Sequence, residues 1–95
     1  MPAYIIARVN VTDPDEYAKY RALTPAAVTA FGGKFVVRGG EMETLEGPEE
    51  TQRVVVLEFE SMAKAREFYN SDQYKAAIAL RQPASEGQFI LVEGA

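Results

Sequence analysis

Tyrosine, arginine and carboxylate are the only side chains in this sequence that can do directed chemistry at neutral pH, because it has no histidine and no cysteine. That removes the Ser-His-Asp triad, the thiol nucleophile, the ordinary zinc site and the histidine or cysteine ligand of a haem. Four tyrosines sit at helical spacing: Tyr17 and Tyr20, then Tyr69 and Tyr74. Their hydroxyls could orient a substrate or donate a proton. The plainer use of such tyrosines is to pack the ring in a core and lead the hydroxyl to water. Arg38 offers a planar fork of donors suited to a ligand carboxylate, with Glu58 near it. Arg21 and Arg81 read as solvated helix charges, although Arg81, just ahead of Gln82-Pro83, could reach the mouth of a pocket. Asp15, Glu16, Glu43, Glu46, Glu49 and Glu50 read as surface charge, and none is paired with another for acid–base work. The candidate ligand-binding set is therefore Tyr17, Tyr20, Arg38, Glu58, Tyr69, Tyr74 and Arg81. No catalytic residue is assigned, and no metal site or cofactor is expected.

The elements that must carry these residues follow from periodicity and caps. Ala3 to Val11 alternates, with Ala3, Ile5, Ala7, Val9 and Val11 on one face, as a strand does. Asp13, Pro14 and Glu16 form a helix start: a carboxylate cap, a proline at the first position and a glutamate three residues after the cap. The inner stripe of that helix should be Tyr17, Tyr20, Leu23, Ala27, Val28 and Phe31, with a kink at Pro25 where Thr24 caps a fresh turn. Gly32-Gly33 stops it. A second strand should run from Lys34 to Arg38 and resume after a bend at Gly39-Gly40 toward Leu45. Gly47-Pro48-Glu49-Glu50 is the turn, and Gln52 to Phe59 is the third strand. Ser61 caps a short helix with Met62, Ala65, Phe68 and Tyr69 inside. After a break at Asn70-Ser71, a further helical piece carries Tyr74, Ala77, Ile78 and Arg81. Gln82 to Gly87 is a loop and Gln88 to Glu93 the closing strand. The order strand, helix, strand, strand, helix, strand is the split βαβ plan: an α+β, ferredoxin-like fold with a four-stranded antiparallel sheet and its helices on one face.

Alternation then sorts the strands into two faces. Ile5, Ala7, Val9, Phe35, Val37, Val55, Leu57, Phe59, Phe89 and Leu91 make the helix-covered face. Tyr4, Ile6, Val36, Val54, Val56, Ile90 and Val92, with Arg8, Arg38 and Glu58, make the other. A solvated sheet face alternates to polar residues, and this one is rich in branched aliphatics. The expected cover is a second copy of the chain, packed about a two-fold axis. The dimer interface is then Tyr4, Ile6, Arg8, Val36, Val54, Val56, Ile90 and Val92, and an Arg38–Glu58 salt bridge is expected beside it.

With 95 residues there is room for one domain, expected to span residues 1–95, and self-association is the ordinary way for so short a chain to add buried area. Apolar residues make up 47% and charged residues 25%, a globular balance rather than a disordered one. A net charge of −4 argues against nucleic acid or an anionic membrane as partner. The apolar runs are too short to span a membrane, and the opening residues lack the basic and long apolar regions of a signal peptide. A cytoplasmic location is expected.

Several stretches together resemble a known bacterial family, domain of unknown function 1330. They are Asn10-Val11-Thr12-Asp13-Pro14-Asp15 leading to Tyr17 and Tyr20-Arg21, Phe31-Gly32-Gly33-Lys34-Phe35, Val37-Arg38-Gly39-Gly40, Glu58-Phe59, Asn70-Ser71-Asp72-Gln73-Tyr74 and Ala79-Leu80-Arg81. The resemblance implies the dimeric α/β-barrel superfamily, in which two ferredoxin-like subunits pack sheet on sheet. It implies little about activity. The superfamily includes cofactor-free monooxygenases, muconolactone isomerases and haem-dependent enzymes, many with a pocket between sheet and helices, and the histidine-dependent branches do not transfer to a chain without histidine. The expected function is a homodimer that binds a small acidic or aromatic organic molecule between helices and sheet. The alternatives are a cofactor-independent monooxygenase- or isomerase-like enzyme, and a structural or interaction module without ligand.

Overall fold

The computed structural model describes residues 1–95. Strand β1 (Ala3–Val11) leads to helix α1 (Pro14–Ala30), strand β2 (Lys34–Arg38) and strand β3 (Arg53–Phe59). Helices α2 (Met62–Tyr69) and α3 (Asp72–Arg81), a 3-10 turn over Gln82–Ala84 and strand β4 (Ser85–Glu93) complete the order. The sheet runs β2-β3-β1-β4 with every neighbour antiparallel. This is the ferredoxin-like α+β fold expected from the sequence. No helix is long and apolar enough to cross a membrane.

The caps form where the sequence places them. The Asp13 carboxylate accepts from the Glu16 backbone N–H, the Ser61 hydroxyl from that of Lys64 and the Ser71 hydroxyl from that of Tyr74. Each satisfies a backbone donor that the first helical turn would otherwise leave unpaired. The core lies between the helices and the inner sheet face, where Ile5, Ala7, Val9, Leu57 and Phe59 meet Val28, Phe68, Tyr74 and Ala77.

Four local expectations need correction. First, Thr24 does not cap a fresh turn at Pro25: α1 runs on as one helix, and the Thr24 hydroxyl donates back to the Tyr20 carbonyl at 2.8 Å. Thr24 is thereby satisfied and buried on the inner stripe, while Leu23 is 46% exposed. Second, β2 does not resume beyond Gly39-Gly40; residues 39–52 form no strand, and Gly39 and Gly47 take positive φ. Third, β4 begins three residues early, at Ser85.

The fourth correction decides the site. The irregularity in β2 lies not at the glycine pair but between Phe35 and Val37. Phe35 pairs with Leu57, Val37 with Val56 and Arg38 with Val55, so Val36 is the extra residue of a β-bulge. Because side chains alternate with a period of two, one extra residue exchanges the faces of everything after it. Val37 moves to the open face, where it is 40% exposed, and Arg38 moves to the helix-covered face.

The open face is then crossed by one aliphatic row. Val37 of β2 lies opposite Val56 of β3, Val56 opposite Ile6 of β1, and Ile6 opposite Ile90 of β4. Beside it runs Lys34, Glu58, Tyr4 and Val92, and the expected Arg38–Glu58 bridge is replaced by Lys34–Glu58 at 3.5 Å. Arg8 instead reaches Glu50 in the 39–52 segment, Nε to Oε2 at 2.6 Å.

Candidate functional site

A narrow cavity of about 30 Å³ opens between α1 and the inner face of the sheet. Its floor is Ile5, Ala7 and Val9 of β1 with Val55 and Leu57 of β3, and Phe89 and Phe35 close two sides. Helix α1 contributes Tyr17, Tyr20, Arg21 and Thr24; Arg38 and Arg53 enter from the sheet. The volume corresponds to about two water molecules, so the space admits a small headgroup before anything moves. A wider, more open groove of about 230 Å³ lies between α2 and β4, lined by Tyr69, Arg66, Asn70 and the edge of the sheet. The narrower cavity is where aromatic, hydroxyl and guanidinium groups converge on an apolar floor, the usual make-up of a small-molecule site.

No guanidinium around it is held by a carboxylate. Pro25 has no N–H, so the Arg21 carbonyl one turn earlier lacks its helical donor. Arg38 Nη2 fills that gap, donating to the Arg21 carbonyl at 3.2 Å while its guanidinium lies 4.2 Å over the Phe35 ring. Arg53 Nη2 makes a long contact of 3.5 Å to the Arg38 carbonyl, and Arg53 Nε is buried without a partner. Its head packs against the bare Cα of Gly39: a Cβ there would meet the Arg53 guanidinium, and the flexible side chain would have to shift. Arg81 is buried at 7% exposure behind the cavity, with its guanidinium 4.1 Å over Phe89 and 5.7 Å from the Tyr20 ring centre. Its Nε also lacks a partner. Arg81 is therefore not the solvated helix charge expected from its position.

The four ion pairs in the structure are Arg8–Glu50, Lys19–Glu16, Lys34–Glu58 and Lys64–Glu67. None involves Arg21, Arg38, Arg53 or Arg81. A chain with 14 acidic and 10 basic residues has thus gathered three arginines in the lining of one cavity and a fourth behind it, with no carboxylate in that lining.

The tyrosines are ordered from the cavity inward. Tyr17 and Tyr20 line it, and the Tyr20 hydroxyl meets that of the fully buried Tyr74 at 2.7 Å. Burial pushes the Tyr17 phenol above its ordinary value, with Arg53 and Arg81 pulling the other way. The Tyr74 phenol is pushed up further, first by burial and then by the neighbouring Tyr20. Both stay protonated at neutral pH and act as donors or acceptors of hydrogen bonds, not as bases. Tyr69 packs its ring against Tyr74 but faces the wider groove.

Of the seven residues singled out from the sequence, Tyr17, Tyr20 and Arg38 meet in the lining. Tyr74 and Arg81 stand directly behind it, Tyr69 lines the neighbouring groove and Glu58 lies across the sheet with Lys34. Arg53, Arg21 and Thr24 were missed. Arg53 was within reach, since it shares the parity of Val55 and Leu57 and so belongs to the inner face. No group of histidine, cysteine or carboxylate side chains comes together in a way that could hold a metal ion.

The four-stranded antiparallel sheet with its helices on one side, and a cavity between the layers, define a ferredoxin-like protein. A sequence profile described as Domain of unknown function (DUF1330) matches residues 2–95, and the chain belongs to that family. Solved structures agree in fold. A protein of unknown function from Rhodopseudomonas palustris is 23% identical with a TM-score of 0.79, the match covering 99% of this chain and 82% of that one. A dimeric ferredoxin-like protein of unknown function from Jannaschia sp. CCS1 is 13% identical with a TM-score of 0.76, covering 99% and 100%. SnoaB, a cofactor-independent oxygenase from Streptomyces nogalater, is 16% identical with a TM-score of 0.67, covering 99% and 93%. No curated protein matches the sequence.

Proposed function

We propose that this protein is a homodimer, joined through the open sheet faces, whose subunits each bind a small organic acid between α1 and the sheet. One observation carries the ligand reading: the cavity is ringed by arginines that have no carboxylate partner, on a floor that is otherwise aliphatic and aromatic. An unpaired guanidinium beside an apolar surface is costly unless an anion completes it. A ligand with an anionic head and an apolar body supplies both missing partners. The aliphatic row Val37, Val56, Ile6 and Ile90 supports the dimer, as does the dimeric state of the Jannaschia protein.

The binding reading is preferred to an oxygenase- or isomerase-like activity because the lining holds no carboxylate, and burial keeps the Tyr17 phenol protonated, which leaves no general base in place. It is preferred to a ligand-free module because the tyrosine rings leave the cavity unfilled and the Arg53 Nε unsatisfied. Calorimetric titration with sodium benzoate and with benzamide tests it. Binding of benzoate with benzamide silent is the expected result; equal affinity for the two, or none for either, rejects the reading.

A further inference from the structure

We infer that Arg53 is the carboxylate anchor of this cavity, that Arg38 is a movable gate over it, and that the ligand is a flat monocarboxylic acid seated head-inward. This deepens the binding reading above and rests on it.

The two arginines differ in how they are held. Arg53 starts β3, opposite Val9, and its Nε is shut away from solvent with no acceptor. Its head makes the 3.5 Å contact to the Arg38 carbonyl and lies within hydrogen-bonding reach of the Tyr17 phenol, and no carboxylate meets it. The space for its head is built into the backbone, because Gly39, at φ +65°, turns the chain there and carries no Cβ to obstruct it. Because Nε is closed to water, the head must turn toward the cavity to engage a ligand. Once turned, a guanidinium with no competing acceptor on its Nε–H presents a side-on fork, two parallel donors that match the two oxygens of one carboxylate.

Arg38, in contrast, is exposed and already engaged. It donates to the carbonyl that Pro25 leaves unpaired and lies across Phe35 at the mouth. Both contacts are individually weak and can be exchanged for water, so Arg38 can swing away and return over a bound ligand.

Size sets the ligand's orientation. The enclosed space takes about two waters, which suits a carboxylate group and excludes a ring. An apolar body must therefore lie at the mouth, against Phe35 and beneath the Arg38 guanidinium, where a flat π-face replaces the one that Arg38 now covers. An acid whose carboxylate is attached directly to a planar ring fits this arrangement.

The test is benzoate affinity, by calorimetry, for the parent protein, Arg53→Met, Arg53→Lys, Arg38→Met and Pro25→Ala, each first checked for an unchanged circular dichroism spectrum. Arg53→Met is expected to weaken benzoate about 10- to 100-fold. Arg53→Lys keeps the charge but loses the fork, and should weaken it nearly as much; it decides the matter if Arg53→Met fails to fold. Arg38→Met loses the contact over the ligand's ring and should weaken benzoate about 2- to 5-fold, well short of Arg53→Met. Pro25→Ala gives the Arg21 carbonyl its own donor and releases Arg38, so stopped-flow mixing should show benzoate associating faster than with the parent; an unchanged rate overturns the gate. If Arg38→Met abolishes binding while both Arg53 variants retain it, the assignment is overturned and the binding reading survives. If the parent itself does not bind benzoate, the binding reading falls and this inference with it.

Discussion

Replacing Val56 with arginine is the sharpest test of the proposed sheet-to-sheet dimer. Val56 sits in β3 at the middle of the aliphatic row, between Val37 on one neighbouring strand and Ile6 on the other. In a two-fold packing of these faces the substitution enters twice, placing two like charges in an apolar contact. An uncompensated charge buried in this way costs about 3–5 kcal/mol. The Glu58 carboxylate, two residues along the same strand and face, recovers part of that by pairing with the new guanidinium. Allowing half to be recovered at each copy leaves about 3–5 kcal/mol in all, which weakens the dimer by roughly 10²- to 10³-fold or more. The fold should survive, because Val56 is only partly buried within one subunit. Sedimentation velocity over a micromolar concentration series reads the result directly. The parent should sediment as a dimer and the variant as a monomer. Identical profiles for the two would refute the claim that this face is the interface, whatever the oligomeric state of the parent. Arg8 is a poorer place for such a test, since it is tied to Glu50 of its own chain.

Other expectations follow from single contacts. Tyr74→Phe removes one partner of the buried hydroxyl pair and should lower stability by about 1–2 kcal/mol in urea unfolding. Because the Tyr74 phenol is held protonated in the folded state, that state retains a proton that the unfolded chain releases above about pH 10. Stability should therefore fall as pH rises through that range, by up to about 1.4 kcal/mol per pH unit for this group, and Tyr74→Phe should flatten the slope. Glu50 has the opposite sign: its hydrogen bond with Arg8, then that with the Gln52 backbone, holds its pKa below the ordinary carboxylate value. Its contribution is present above the unfolded pKa and lost as pH falls through the lowered folded one. Proteolysis of the 39–52 segment should accordingly quicken in acid, and Arg8→Gln should make it fast at neutral pH as well. Gly33→Ala would set a Cβ 2.5 Å from the ring of Phe59, which is only 1% exposed and has nowhere to go, so a loss of about 1–3 kcal/mol in thermal unfolding is expected.

The sequence alone determined the features that depend on neighbours along the chain. The three side-chain caps at Asp13, Ser61 and Ser71, the alternation in β1 and β3, and the order of elements are all local, and each stands as read. The excess of aliphatics on the second sheet face was legible for the same reason, and Arg53 could have been found by counting parity from Val55. What tertiary structure decided is which way side chains point after an irregularity, and which charges end up without partners. Nothing in Lys34-Phe35-Val36-Val37-Arg38 announces that Val36 is the extra residue, because any of several positions could bulge and only pairing against β3 selects one. That single slip exchanged Val37 and Arg38 between the two faces, giving the open face another aliphatic and the cavity its gate. Likewise Pro25 reads in sequence as a kink, whereas in the fold it leaves open a carbonyl that an arginine from another strand comes to fill. The isolation of Arg53 and Arg81 from every carboxylate is a property of three-dimensional packing, and it is this isolation that points to an anion from outside the chain.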